Sequence, residues 1–461
     1  MAAISSGIFK KYDIRGTASG DNPALSPAIA ATLGQAIGTY LQQQEQQQRV
    51  IVGHDNRHSS PALHAALLAG LARSGCQVLD IGLVSTPVVY WHAVQQGHCG
   101  AVMVTGSHLA PHYNGFKISV GARNIYDAGL QAIARLIAAD ALLTGPGRID
   151  SMADARQPYL DDLSRRVQIG RRLKVVIDPG NGTGGLFAPA LLERLGQEVS
   201  GIFTEPDGSY PNHQPDPSDE KNLHALGAAV RAAGADIGIA FDGDADRVGA
   251  VDEQGQPIVA DRLVALLAQD LLRRQPGAVV IGDVLCSQVL FDTIRRAGGV
   301  PVMAPSGHSI VKDAMREHGA LLGGEQSGHI FLGEDYYGFD DGYLVAARLL
   351  QLLAGAGAPL SALDAGLGRL YSTPEYRPHC PDADKATVIA GVRAALEHTG
   401  QVTAVDGIRV QFEQGWGLLR ASNTEPVLSL RFEATTEAAA LAYRERFVQA
   451  LAQYPQVEAL I

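Results

Sequence analysis

Residues 173–182 read LKVVIDPGNG. A run of Val, Val and Ile without polar alternation describes a strand buried on both faces, and Asp-Pro-Gly-Asn-Gly ends it abruptly. A helix is expected near 187–195, followed by a second strand over 196–203. The same strand–loop–helix–strand unit occurs twice more. Upstream, RVIVGHD (49–55) leads to a helix around 61–73 and a return at 75–82. Downstream, GAVVIGD (277–283) leads to a helix near 288–297 and a return at 298–304. Each helix stops close to a glycine, the usual C-terminal signal. The three opening strands lie roughly 100 to 125 residues apart, about one small domain each. Beyond Leu370 the texture changes: Pro374, Pro378 and Pro381 precede a helical stretch, strands near 407–412 and 427–432, and a final helix from Glu437. The expected architecture is α/β: three similar α/β domains with mixed sheets around a central cleft, at 1–149, 150–255 and 256–370. A smaller α+β C-terminal domain occupies 371–461.

Composition narrows the function classes. The 461 residues carry 37 Lys+Arg against 48 Asp+Glu, a formal net charge of −11, with no basic block. A nonspecific nucleic-acid binder and a polybasic membrane anchor are therefore not expected. Cys76, Cys99, Cys286 and Cys380 are scattered, so neither a disulfide framework nor a cysteine metal site is expected. The first residues lack the apolar core of a signal peptide, and no uncharged apolar run reaches a membrane span. The expectation is a cytoplasmic protein, monomeric, without membrane or nucleic-acid partners. Glycine is in excess at 52 residues, which suits tight turns and loops that approach a ligand closely. The glutamine-rich LQQQEQQQR (41–49) reads as the solvated end of a helix.

In open parallel sheets, ligands sit outside the carboxyl ends of strands, so the loops after apolar runs carry the chemistry. After 101–104 comes TGSHLAPHYNGFK (105–117), where Ser107 could act as a nucleophile if cations stand nearby. After 236–241 comes DGDADR (242–247). Asp242, Asp244 and Asp246 alternate, and carboxylates this close repel one another unless a divalent cation compensates. Arg247 adds an anion-binding fork. The EF-hand spacing is excluded, because its obligatory glycine position holds Arg247. After 320–322 comes GGEQSGH (323–329). There Glu325, Ser327 and His329 alternate and would share one face of an extended segment, suited to sugar hydroxyls. His308 occupies a comparable loop, SGHSI. In the last domain RASNTEP (420–426) gathers Arg420, Ser422, Asn423 and Thr424, a phosphate cradle in one turn.

FKKYDIRG (9–16), TGSH…YNGFK, FDGDADR, GEQSGH and RASNTEP, in this order, resemble the motifs of the α-D-phosphohexomutase family, most closely its bacterial phosphomannomutase/phosphoglucomutase branch. The resemblance spans about residues 8–433. It implies an isomerase that interconverts the 1- and 6-phosphates of glucose or mannose through a phosphoserine and a hexose 1,6-bisphosphate, which serves as intermediate and activator. Ser107 would carry the phosphoryl group and, with Asp242, Asp244 and Asp246, bind Mg²⁺. His108, Lys117, Arg15, Arg247 and His329 would serve catalysis. Tyr12, His308, Glu325, Ser327, Arg420, Ser422, Asn423 and Thr424 would bind the hexose phosphate. Two departures from the family pattern stand out: Leu109-Ala110 in place of Asn-Pro, and Leu285 in place of a lysine. Phosphoglucosamine mutase, a metal-dependent phosphatase built on Asp242 and Asp244, and a noncatalytic sugar-phosphate binder are the competing readings.

Overall fold

The structure, a computed structural model, describes residues 4–422 and 425–459. In the first domain, β1 (Ile14–Thr17), β2 (Arg49–His54), β3 (Gln77–Leu83), β4 (Gly100–Val104), β5 (Tyr113–Val120), β6 (Arg123–Ile125) and β7 (Arg148–Ser151) share one sheet. Its order is β1-β5-β4-β2-β3-β7, with β6 paired to β5. β2 runs parallel to β3 and β4, whereas β5 is antiparallel to β4 and β1, so the sheet is mixed. The second domain orders β8 (Lys174–Asp178), β9 (Glu198–Gly201), β10 (Ile237–Phe241), β11 (Val248–Val251) and β12 (Pro257–Ile258) as β12-β11-β10-β8-β9. In the third, β13 (Val279–Asp283) lies between β14 (Val300–Ala304) and β15 (Leu322–Gly324), parallel to both. β16 (Ile330–Leu332) follows along the chain.

The three copies share one topology. An apolar strand (β2, β8 or β13) feeds a helix: Ser60–Arg73, Gly184–Arg194 or Gln288–Arg296. The chain returns as a parallel neighbour, β3, β9 or β14. A second helix (Thr86–Gln95, His224–Ala233 or His308–His318) then places β4, β10 or β15 on the far side of the first strand. The first helix ends alike each time. Gly75, Gly196 and Gly298 take φ of 96°, 79° and 80°, a left-handed turn open to glycine without strain. The turn after the third strand of each copy holds TGSH, DGDADR or GEQSG.

The fourth domain is an antiparallel sheet of β17 (Tyr371–Ser372), β18 (Gln401–Thr403), β19 (Ile408–Gln411), β20 (Gly415–Ala421) and β21 (Leu428–Ala434), ordered β17-β21-β20-β19-β18. Helices Asp382–Leu396 and Glu437–Leu451 pack on it through Val388, Val392, Leu419, Phe432 and Phe447. β20 has no counterpart in the sequence reading. Arg420 therefore sits at a strand end rather than in a turn.

By packing, the described chain forms two units: residues up to 263 together with 327–363, and 264–326 together with 364–459. Within the first, helix Gly342–Ala356 buries Tyr343 against Tyr159, Phe187 and Phe241. In the first domain, helices Pro27–Gln44 and Ser60–Arg73 touch backbone to backbone. A Cβ on Gly70 would stand 2.1 Å from the Ala31 carbonyl, and one on Gly34 would stand 2.4 Å from that of Leu67. Gly70→Ala must therefore part the helices. It should destabilise the protein by about 2 kcal/mol, read as an earlier midpoint in urea unfolding.

Candidate active site

The turn β4–β5 brings Ser107 against the turn β10–β11. The buried Ser107 Oγ donates to Asp242 Oδ2 at 2.9 Å and lies 3.2 Å from His108 Nδ1. The approach requires glycine: a Cβ on Gly243 would stand 2.4 Å from the Ser107 carbonyl. Ser107 itself takes φ 50°, a left-handed conformation that costs a non-glycine residue roughly 1–3 kcal/mol. Such strain persists only where surrounding contacts fix it. The Ser107 N–H donates to Thr105 Oγ1 at 2.8 Å, and the carbonyl accepts from Arg57 Nη2 at 2.7 Å.

Asp242, Asp244 and Asp246 are buried, with one oxygen of each within 4.8 Å of the others. Lys117 Nζ donates to Asp244 Oδ2 at 2.7 Å and to Asp246 Oδ2 at 2.5 Å. Burial works against the ammonium charge, but Asp244 and Asp246 hold its pKa well above the ordinary lysine value. Burial also works against ionised Asp244, yet Lys117 keeps that carboxyl well below the usual range. Asp242 goes the other way: burial and its two acidic neighbours push it well above the ordinary value. The cations present therefore do not balance the acids. Oxygen-only donors with excess negative charge suit a hard divalent cation.

His329 and Arg247 extend the site. His329 Nδ1 faces Asp340 Oδ2 at 2.9 Å, and Arg247 Nε donates to His329 Nε2 at 2.9 Å. Burial and Arg247 push the His329 pKa down to about 4, and burial with Arg247 and Arg15 pushes His108 well below its ordinary value. Both imidazoles are neutral near pH 7. Arg15 pairs with Asp13 at 2.5 Å, and the Tyr12 ring meets Tyr126 at 6.4 Å.

The segment from Glu325 to His329 is not extended: residues 326–327 form a turn and Gly328 takes φ 99°, so the condition for the alternation is not met. Glu325 is buried and accepts from the Gly307 N–H, one residue before His308 at the head of its helix. Arg420 Nε donates to Asp406 Oδ2 at 2.8 Å. Ser422 accepts from the Glu425 N–H, and Lys385 Nζ donates to the carbonyls of Ser422 and Glu425. Asn423 and Thr424 lie outside the described residues. Leu285 packs with Val284, Trp416 and Leu418, so this position joins an apolar cluster.

The sequence reading missed the residues that hold the acidic turn from behind. Thr86 Oγ1 donates to Asp244 Oδ2 at 2.5 Å, and its N–H donates to the Asp244 carbonyl at 3.0 Å. Thr183 donates through N–H and Oγ1 to the Gly243 carbonyl, and Ser85 joins Thr183 to the Tyr343 hydroxyl. These lie in LVSTP (83–87) and NGTGG (181–185), loops that also follow apolar strands.

Four domain models of phosphoglucomutase/phosphomannomutase match the chain: α/β/α domains I, II and III at residues 6–143, 157–255 and 260–369, and the C-terminal domain at 376–450. The chain belongs to the phosphoglucomutase/phosphomannomutase family. It is 43% identical over 438 residues to a phosphomannomutase/phosphoglucomutase of Pseudomonas putida, covering 95% of this chain and 94% of that one. It is 41% identical to a phosphoglucomutase of Neisseria gonorrhoeae, over 99% of each. A solved family protein of Burkholderia thailandensis superposes with a TM-score of 0.93 at 40% identity, over all of both chains. The chain is thus a phosphohexomutase, an isomerase acting on hexose phosphates. No single helix among the described residues is long and apolar enough to cross a membrane.

Thr86→Val removes the hydroxyl that donates to Asp244 while keeping the side chain's shape. Loss of such an outer hydrogen bond to a ligating carboxylate typically costs about 10–100-fold in metal affinity. Titration calorimetry with Mg²⁺ should show that loss, with the circular dichroism of the folded protein unchanged.

Proposed function

We propose that Ser107 carries the phosphoryl group in a reversible transfer between the 1- and 6-positions of glucose or mannose phosphates. The observation that supports it is the buried 2.9 Å hydrogen bond from Ser107 Oγ to Asp242. That bond sets the left-handed Ser107 turn against the turn of three buried carboxylates. Asp242, Asp244 and Asp246, with a phosphoserine oxygen, would hold Mg²⁺, which when bound offsets the charge of the transferring group.

The chain's own residues do the rest. Ser107 gives its phosphoryl group to the free 1- or 6-hydroxyl of the bound hexose phosphate, forming the hexose 1,6-bisphosphate. The bisphosphate turns over and returns its other phosphoryl group to Ser107, so the enzyme ends as it began. Lys117, Arg15 and Arg247 bear on the phosphoryl charge from their places around the two turns. His108 and His329, neutral and within the same buried network, are the groups able to accept or relay a proton. Tyr12, His308, Glu325 and Ser327 bind the sugar hydroxyls, and Arg420, Ser422, Asn423 and Thr424 the phosphate that is not reacting. The enzyme works as a cytoplasmic monomer on free sugar phosphates.

Intact-mass measurement should find phosphate on the wild-type protein and none on Ser107→Ala. Turnover of glucose 1-phosphate by that variant should fall by several powers of ten, as on loss of other essential catalytic groups. Unphosphorylated wild type, or a Ser107→Ala variant that keeps its activity, would overturn the mechanism; a phosphatase working through phospho-aspartate would give the second result. Chelation of divalent ions should abolish turnover and lower the unfolding temperature, because a cation bound by the folded turn stabilises it, while the circular dichroism of the folded protein stays unchanged.

A further inference from the structure

We propose that Arg57 is a positioning residue that moulds the phosphoserine turn by gripping its backbone. This rests on the reading of Ser107 as the phosphoryl carrier. Arg57 and Asp55 are both buried to 0% exposure, with Arg57 Nε 3.3 Å from Asp55 Oδ2. A guanidinium removed from water is costly unless its donors find partners. Nε has the ion pair with Asp55 but no hydrogen bond, and the four Nη donors go to one turn. Nη2 donates to the carbonyls of Ser107 at 2.7 Å and Leu109 at 2.6 Å, and Nη1 to those of Ala110 at 2.7 Å and Tyr113 at 3.0 Å. The planar fork fixes these carbonyls relative to one another, which a lysine cannot do.

Asp55 completes the grip from the other side. Its carboxylate accepts from the N–H groups of Gly106, at 3.1 Å, and of Arg57, at 3.0 Å, and from Ser60 Oγ. The turn is thus held at Gly106 N–H and at four carbonyls, which accounts for a serine at φ 50°. It also explains Gly106, where a Cβ would stand 2.5 Å from the guanidinium. Tyr210 covers the open face of Arg57, its ring centre 5.0 Å from the guanidinium carbon.

The threefold repeat isolates Arg57 as specific to this turn. Each first strand runs into an aspartate: HDNR (54–57), IDPG (177–180) and GDVL (282–285). In the third copy Asp283 accepts from the Gln326 N–H, much as Asp55 accepts from that of Gly106. The aspartate is common to all three copies and holds the third-strand turn in the first and the third. Two residues on, the copies differ: Arg57, Gly180 and Leu285. The arginine stands only in the copy whose third-strand turn carries Ser107. Because it binds carbonyls, the side chains at 109 and 110 are free to vary. That accommodates Leu109-Ala110 in place of the family's Asn-Pro.

The test compares wild type, Arg57→Lys, Leu109→Ala and Leu109→Asn by circular dichroism, intact mass after incubation with a hexose 1,6-bisphosphate, and steady-state kinetics. Folded Arg57→Lys should lose about 100-fold in kcat, the scale of an ångström-level misplacement of a reacting group. Its KM should stay within about threefold, and phosphorylation of Ser107 should slow to match. Both Leu109 variants should keep kcat within about threefold of wild type. A folded Arg57→Lys with wild-type kcat and only a lower unfolding temperature overturns the proposal. So does a loss above about tenfold in Leu109→Ala, which would make the side chain rather than the carbonyl the anchor. If Arg57→Lys does not fold, the Leu109 pair alone decides. Active wild type without phosphate on Ser107 would instead sink the phosphoserine reading itself.

Discussion

Three carboxylates on one buried turn repel one another, and the polar side chains packed around that turn answer the repulsion. Lys117 reaches from β5 to two of them, at 2.7 and 2.5 Å. Asp242 is left with its proton favoured, one hydrogen bond from Ser107. The turn is thus short of positive charge next to the residue proposed to carry a phosphoryl group. A divalent ion would relieve that deficit in the same place where further negative charge must be received. Arginines alone would neutralise the turn permanently; an exchangeable ion leaves its balance adjustable.

Holding such a turn open to chemistry requires a rigid bed. Thr86, Thr183, Ser85 and Tyr343 supply it through hydroxyl and backbone bonds that leave no net charge of their own. The apolar packing of Tyr343 with Phe187 and Phe241 anchors this bed in the core. The two turns consequently meet at backbone distance, and Gly243 marks the point of contact. The geometry belongs to the scaffold more than to the reactive groups themselves.

Much of this was legible in the sequence, for local reasons. VVID, VIVG and VVIG are contiguous apolar runs, and Gly75, Gly196 and Gly298 stop their helices in plain view. The DGDADR acids lie within five residues of one another. What stayed hidden depends on partners remote in the chain or on backbone atoms. Arg57 grips carbonyls, which no sequence spells, and Thr86 meets Asp244 across 158 positions. The strand β20 was obscured by its own packing. Gly417 lies so close under Phe447 that a Cβ would stand 2.6 Å from that ring, so the site demands a residue that weakens a strand signal. In GEQSGH, the left-handed Gly328 turned an alternation into a bend.

The discontinuity of the first unit has a consequence for how the chain acquires this site. Residues 327–363 pack with those before 264, so the stretch between them is built before the unit is whole. Tyr343, Asp340 and His329 all belong to that late segment. A chain emerging N-terminus first has Ser107, the three aspartates, and Ser85, Thr86 and Thr183 in hand long before Tyr343, Asp340 and His329. The packing around the acidic turn is complete only once residue 343 has left the ribosome. The order of translation thus makes these two turns among the last parts of the first unit to be fully packed.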